Sequence, residues 1–469
     1  MSNGKYEKEL RIGLVLYGGV SLAIYIYGVV YEFLRLAREE GAYAELTKIA
    51  GVKPVIDVIS GSSAGGINGL FLAKALTTGA TLDPLKELWI QQGDLEILVN
   101  ADDENPRSLL NSAYYERQLR DALDQIKPDP LTPTNKGMSG LLDVFITATN
   151  LDGIVTEYGK PFFRSPIQTK HYGTVFHFKS RPDHYRLTDL VALNREALSS
   201  KNQGYLDELI KMLDQDRRPK NDFDDEAGPD SGQGLTKNYY LARIAASTSA
   251  FPVAFTPVPF KRGELSEMRQ VFGSEIVQGD TSGLGFRQDE TSQSVIYGDG
   301  GMVNNKPFSH AMRTIFRRQA NGPVDRKLFF IDPDPVTFDD SNRLGDQDGV
   351  DGFHSLQGFL EAIFYESISK DLETLVDQNF RILNIQQILL DFEAELASYL
   401  KNFGEKIRTP EQVREMYRAQ PVYGTYRQIK ITAIRHELET RLFEKADLDQ
   451  LITAIEQNSP EELAGKNRA

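Results

Sequence analysis

Ser63 is the side chain in this sequence best placed to act as a nucleophile. It stands at the centre of Gly61-Ser62-Ser63-Ala64-Gly65, a GxSxG pattern set between the apolar run Val55-Ile56-Asp57-Val58-Ile59 and the small-residue run Gly66 to Ala73. Strand, sharp turn and helix are the context that a nucleophile elbow requires. Gly61 and Gly65 carry no Cβ, so strand and helix can approach closely while Ser63 takes the strained turn that pushes its hydroxyl outward. The helix that follows aims free N–H groups and the positive end of its dipole at the same point, where an oxyanion would be stabilised. Ser62 reads as part of the turn, because a frame centred on it puts Ser60 and Ala64 at the glycine positions.

An activated serine also needs a base and an oxyanion hole. Tyr17-Gly18-Gly19-Val20-Ser21 lies between the first expected strand and the first expected helix. Glycines there either free backbone N–H groups to point into a concavity or serve a tight turn at positive φ. The N–H groups of Gly18, Gly19 and Val20, with that of Ala64 after the nucleophile, are the oxyanion-hole candidates. Asp299, in Tyr297-Gly298-Asp299-Gly300-Gly301 at the end of an expected strand, is either a turn former or a carboxylate presented at the ligand edge. Of six histidines only His310, His354 and His436 follow it, as the order Ser, Asp, His of an α/β-hydrolase triad would require. His310 falls in a helix-like run after Pro307, and the other two belong to the helical C-terminal part. Only one expected strand and one expected helix precede the strand of the Ser63 elbow, too few for that fold. The arrangement therefore favours a Ser-Asp dyad.

From residue 10 to about 335, short β-branched runs alternate with helical patterns, the signature of a mostly parallel sheet with crossover helices. Expected strands are Ile12 to Leu16, Val55 to Ile59, Asp143 to Thr149, Val175 to Phe178, Ser294 to Tyr297 and Lys327 to Ile331, several of them buried on both faces. Ile12 to Tyr31 is charge-free for twenty residues but is broken by Gly18-Gly19, so it reads as a buried strand, a turn and a buried helix, and as neither a signal peptide nor a membrane span. Residues 216–234 lack apolar periodicity and read as a mobile surface loop. Before them, Tyr205, Leu206, Leu209, Ile210 and Leu213 recur at helical spacing, for a helix that either covers the site or packs on the sheet edge. After Pro335 the pattern becomes long amphipathic helices, with one stripe from Phe353 to Ile368 and helix starts at Thr409-Pro410 and Ser459-Pro460. The expected division is a catalytic domain at 10–335 and an α-helical unit at 350–469.

Composition bounds the function. Formal net charge is -14, with 53 Lys and Arg against 67 Asp and Glu, which argues against nucleic acid and leaves any membrane contact local and apolar. Cysteine is absent, so disulfides, thiolate metal sites and a cysteine nucleophile are excluded; a reducing cytoplasm suits this. Asp332 and Asp334, in Ile331-Asp332-Pro333-Asp334-Pro335, form either a rigid turn or a cation site. Ala250 to Phe260 is either an apolar surface for acyl chains or membrane, or a buried connection.

Taken in order, these elements resemble the patatin-like phospholipases. The glycine-rich loop at Gly18-Gly19, the elbow from Gly61 to Gly65 and the DGG or DGA motif at Asp299-Gly300-Gly301 are similar to that family's motifs, as are Ala148 to Gly153 and Ala245 to Pro252. The resemblance covers about residues 10 to 335. It implies a three-layer α/β fold with a mostly parallel central sheet, Asp299 as the base for Ser63, a lipid acyl-ester substrate, an acyl-enzyme intermediate, no cofactor and no metal, with at most transient peripheral membrane contact. One departure stands out. The family's oxyanion loop typically reads GGGxR or GGGxK, whereas here Tyr17 replaces the first glycine and Ser21 the basic residue. That departure keeps open a second reading, a catalytically weak effector or scaffold acting through its helical C-terminal unit.

Overall fold

The computed structural model describes residues 8–19, 22–92, 95–100, 106–129, 132–133, 136–158, 167–181, 220–224, 236–273, 276–278, 294–318 and 323–333, with helical stretches at 373–377, 379–380 and 382–383. The chain divides into two units, Met1–Ile368 and Ser369–Ala469. The helices expected near residues 205–213, 353–368, 409 and 459 lie outside the described residues.

Among the described residues nine strands form one sheet: β1 (Lys8–Leu16), β2 (Val52–Gly61), β3 (Met138–Tyr158), β4 (Ile167–Arg181), β5 (Lys220–Asn221), β6 (Val258–Lys261), β7 (Val277–Gln278), β8 (Ser294–Gly298) and β9 (Val324–Ile331). Their main order is β5-β4-β3-β2-β1-β9, with β8 pairing β3 and β6, and β7 pairing β4. The half that carries the elbow, β3-β2-β1-β9, is parallel as expected. Beyond β3 the pairs are antiparallel. All six strands expected from the sequence are present.

Two helices lead from β1 to β2: α1 (Ala23–Ala37) and α2 (Ala42–Ala50). Helix α3 (Ser63–Thr78) follows β2 directly. Side chains alternate across a strand, and neighbours in β2 show what covers each face. Ile59 meets α3, where a Cβ on Gly69 would lie 2.9 Å from its Cγ2. Ser60 points to the other face and donates to the Pro307 carbonyl at 2.8 Å, at the start of the helix Phe308–Arg317. Helices therefore cover both faces, giving three layers.

Burial follows the sequence pattern. Arg11–Leu16 of β1 and Pro54–Gly61 of β2 are buried throughout, as parallel strands under two helical layers must be. β9, at the sheet edge, is only partly covered. Every residue of α3 is buried. Even Lys74 is enclosed there, its ammonium donating to the Phe223 carbonyl at 3.2 Å and to Asn238 Oδ1 at 2.9 Å. Helix α1, expected to be buried, hides only one face: Ile26, Tyr27, Val30 and Leu34 are inside, while Ile24 and Tyr25 are exposed.

The loop expected at 216–234 needs correction where it is described. Lys220–Asn221 pair with the end of β4, and Phe223 is fully buried against Phe178, with ring centroids 5.8 Å apart. A single aromatic among acidic residues has no periodicity, so its anchoring contact is invisible in the sequence.

The two elbow glycines are required by space. A Cβ on Gly65 would stand 2.4 Å from the Leu16 carbonyl oxygen and 2.5 Å from that of Tyr17, and one on Gly61 would stand 2.7 Å from the Gly65 carbonyl oxygen. Backbone cannot yield as a flexible side chain can. Gly65→Ala is therefore expected to cost about 3 kcal/mol or more in urea unfolding, or to prevent folding. Gly28→Ala, in α1 with nothing within 4 Å, is the contrast and should gain up to about 1 kcal/mol.

Candidate active site

Ser63 is the first residue of α3 and has φ of 50°. For a non-glycine residue that is a strained conformation, and it is the one a nucleophile elbow imposes. Ser62 precedes it in extended conformation, fully buried, and makes no side-chain cap hydrogen bond. Since α3 begins at Ser63, the N–H of Ala64 comes before the helix can offer it a carbonyl, and the residue is 2% exposed.

The Ser63 hydroxyl donates to Asp299 Oδ2 at 3.0 Å. Asp299 is fully buried and follows β8, which joins the sheet through β3 at Thr149↔Gly298. Its other carboxylate oxygen, Oδ1, accepts the Gly301 N–H at 2.7 Å. Its main chain is fixed as well, the N–H donating to the Ala250 carbonyl at 3.1 Å and the carbonyl accepting the Thr149 hydroxyl at 2.6 Å. Gly300 has no room for a side chain, since a Cβ would lie 2.4 Å from the Thr147 carbonyl oxygen. The DGG turn is thus held against β3 and hands one carboxylate oxygen to the serine.

Burial pushes the Asp299 carboxyl up to about 7, against the opposing hydrogen bonds from Gly301 and Ser63. An ordinary aspartate, at about 3.9, is a weak acceptor for a hydroxyl proton. Desolvation makes this one a stronger base, and proton transfer is most effective when the acceptor lies near the working pH. The pH dependence follows directly. Only the ionised carboxylate can accept the serine proton, so kcat/KM for an ester is expected to fall about tenfold per pH unit below about 7. A flat profile from pH 5 to 8 would contradict this role.

Gly18 closes the other side. A Cβ there would stand 2.4 Å from Asn305 Oδ1 and 2.9 Å from Ser63 Cβ. Neither Gly18 nor Gly19 has positive φ, so the glycine at 18 serves close approach to Ser63 and not turn geometry. At Gly19 a Cβ would make only ordinary contact, 3.4 Å from Pro333 Cγ. Val20 and Ser21 lie outside the described residues, as do His354, His436 and Asp334. Asp332 forms an ion pair with Lys306 at 3.9 Å. His310 stacks on Phe145, with ring centroids 5.6 Å apart, and burial holds its imidazole down to about 4.

Sequence reasoning missed Thr248. Its hydroxyl accepts the Ser63 N–H at 2.8 Å, and its carbonyl accepts the Gly300 N–H at 3.0 Å. One residue therefore ties the elbow to the aspartate turn and occupies the Ser63 N–H, leaving oxyanion binding to other donors. It ends the helix Lys237–Thr248, and only its place in the Ala245 to Pro252 stretch pointed to it. The run Ala250 to Phe260 is partly a buried connection and partly surface: Ala250, Phe255, Val258 and Phe260 are inside, while Val253, Pro257 and Pro259 are exposed.

A family model described as Patatin-like phospholipase matches residues 14–312. The chain belongs to that family. Members of the patatin-like phospholipase family are generally hydrolases of lipid esters. The match runs from β1, before the Gly18-Gly19 loop, into the helix Phe308–Arg317, and so includes the elbow, Thr248 and Asp299. A protein of Mycobacterium tuberculosis named as an uncharacterized membrane protein is 26% identical over 450 residues, covering 86% of this chain and 35% of that protein. The chain spans about a third of that relative's length.

Proposed function

We propose that this patatin-like phospholipase is a serine acyl hydrolase that cleaves carboxylic ester bonds of lipids, of phospholipase A or lysophospholipase type. The observation that carries the reading is the 3.0 Å hydrogen bond from Ser63 to a fully buried carboxylate. Asp299 takes the Ser63 proton as Oγ attacks the ester carbonyl, and the N–H groups of Gly18, Gly19 and Ala64, together with Val20, stabilise the tetrahedral oxyanion. Collapse expels the alcohol, which leaves with the proton from Asp299. Water then attacks the acyl-enzyme by the same route, giving the fatty acid and free serine. Each oxyanion donor contributes about 3 to 4 kcal/mol.

A membrane-borne substrate accords with the membrane designation of the relative. Among the described residues no helix is long and apolar enough to cross a membrane, so contact is read as peripheral and transient. Val253 and Leu109, each 63% exposed and joined by the Leu109 N–H to Val253 carbonyl bond of 3.0 Å, offer an apolar edge for it. The test is to incubate the protein with phosphatidylcholine vesicles and identify released fatty acid and lysolipid by mass spectrometry. Release by wild type and none by Ser63→Ala is the expected result. Equal release, or none from either, would count against the proposal.

A further inference from the structure

The loop that carries Gly18 and Gly19 has no cation of its own, with serine at position 21, yet a cation sits on it. Lys306 is largely enclosed, its side chain 10% exposed, and its ammonium lies 4.9 Å from the Tyr17 ring centroid and 6.0 Å from that of Phe330. Asp332 holds it from a third side at 3.9 Å. The two rings meet edge to face with centroids 6.4 Å apart, and Tyr17 is anchored by its N–H to the Ile331 carbonyl at 3.1 Å. Lys306 also follows Asn305, whose Oδ1 abuts Gly18 beside Ser63. The Tyr17 ring thus provides a face on which an ammonium is held.

We propose that Lys306 supplies the positive charge of the oxyanion loop, favouring the negative charge that develops on the substrate's carbonyl oxygen, with Asp332 tempering it. The inference rests on the reading of Ser63 as nucleophile. The Tyr17 side chain and one Cα–Cα step place the ammonium within roughly 12 Å of Gly18. At that separation and an effective dielectric of about 20, a unit charge alters a rate about tenfold. Opposition from Asp332 reduces this. Lys306 acts across Tyr17 and is a positioning residue, touching no reacting atom.

The test measures kcat and KM for 4-nitrophenyl butyrate, a soluble ester, in wild type, Lys306→Met, Lys306→Arg, Asp332→Asn and Ser63→Ala, with thermal melting of each. Lys306→Met is expected to lower kcat about fivefold with KM little moved, and Lys306→Arg to recover most of that loss. Asp332→Asn is expected to raise kcat about two- to threefold, because the negative charge that stands 3.9 Å from the ammonium is removed. A purely mechanical clamp would behave differently, since breaking it from either side would lower kcat. Lower kcat in Asp332→Asn, an Arg variant no better than Met, or wild-type kcat in Lys306→Met would each overturn the proposal. Should Lys306→Met not fold, Asp332→Asn, which keeps the ammonium in place, decides. Wild type no faster than Ser63→Ala would remove the proposed function and this inference together, whereas active wild type with an indifferent Lys306 removes only the inference.

Discussion

Ser63→Ala is expected to lower ester hydrolysis by about 10⁴-fold or more, and Asp299→Asn to do nearly the same. The reason is the shared proton: the hydroxyl donates to Asp299 Oδ2, and neither an alcohol without its acceptor nor an acceptor without its alcohol can form the acyl-enzyme. The two losses should not add. A Ser63→Ala, Asp299→Asn double variant is expected to match the more damaged single one, because residues acting as one unit are removed together by either change. Because the rest of the site survives, KM should change far less than kcat. Steady-state kinetics on one soluble ester with all four proteins checks this, and additive losses would mean that the two side chains act independently.

The second large effect runs in the opposite direction. Asp299→Asn is expected to stabilise the protein while inactivating it. A carboxyl moved from 3.8 to about 7 by burial favours its neutral form in the folded state. Its penalty is absent below the unfolded value, grows as pH rises from 3.8 towards 7, and is complete above 7. At pH 8 that amounts to about 4 kcal/mol, which the neutral amide does not carry. The variant should therefore exceed wild type by about that much in urea unfolding at pH 8, and the difference should shrink to below about 1 kcal/mol at pH 4. A gain independent of pH would show that charge burial is not its cause. Strain at Ser63 and charge at Asp299 are two separate costs held at one point, as functional sites commonly hold them.

What was legible in the chain, and what was not, divides along locality. The strands were visible because burial on both faces favours runs of β-branched residues, as in Val55-Ile56 and Val58-Ile59, which Asp57 alone separates. The elbow was visible because close approach of strand and helix demands glycine at 61 and 65. Asp299 was readable through the glycines beside it, which the turn against Thr147 requires. Contacts between distant segments left no such mark. Thr248 looks like any helix-terminal threonine until Ser63, 185 residues away, donates to it. The antiparallel flank depends on β4 turning back along β3, which alternating apolar runs do not distinguish from a crossover. Lys306 reads as an ordinary surface lysine, and only the fold lays its ammonium on Tyr17. Gly18 was expected as an oxyanion donor from its glycine-rich loop, but its close approach to Ser63 without positive φ could be seen only in the structure.

The most direct test is covalent. Incubating the protein at pH 8 with an alkyl fluorophosphonate and mapping the adduct by peptide mass spectrometry is expected to place one phosphonyl group on Ser63, with labelling slowed by orders of magnitude in Asp299→Asn. An adduct on another residue, or labelling of Ser63 at an equal rate without Asp299, would contradict the dyad.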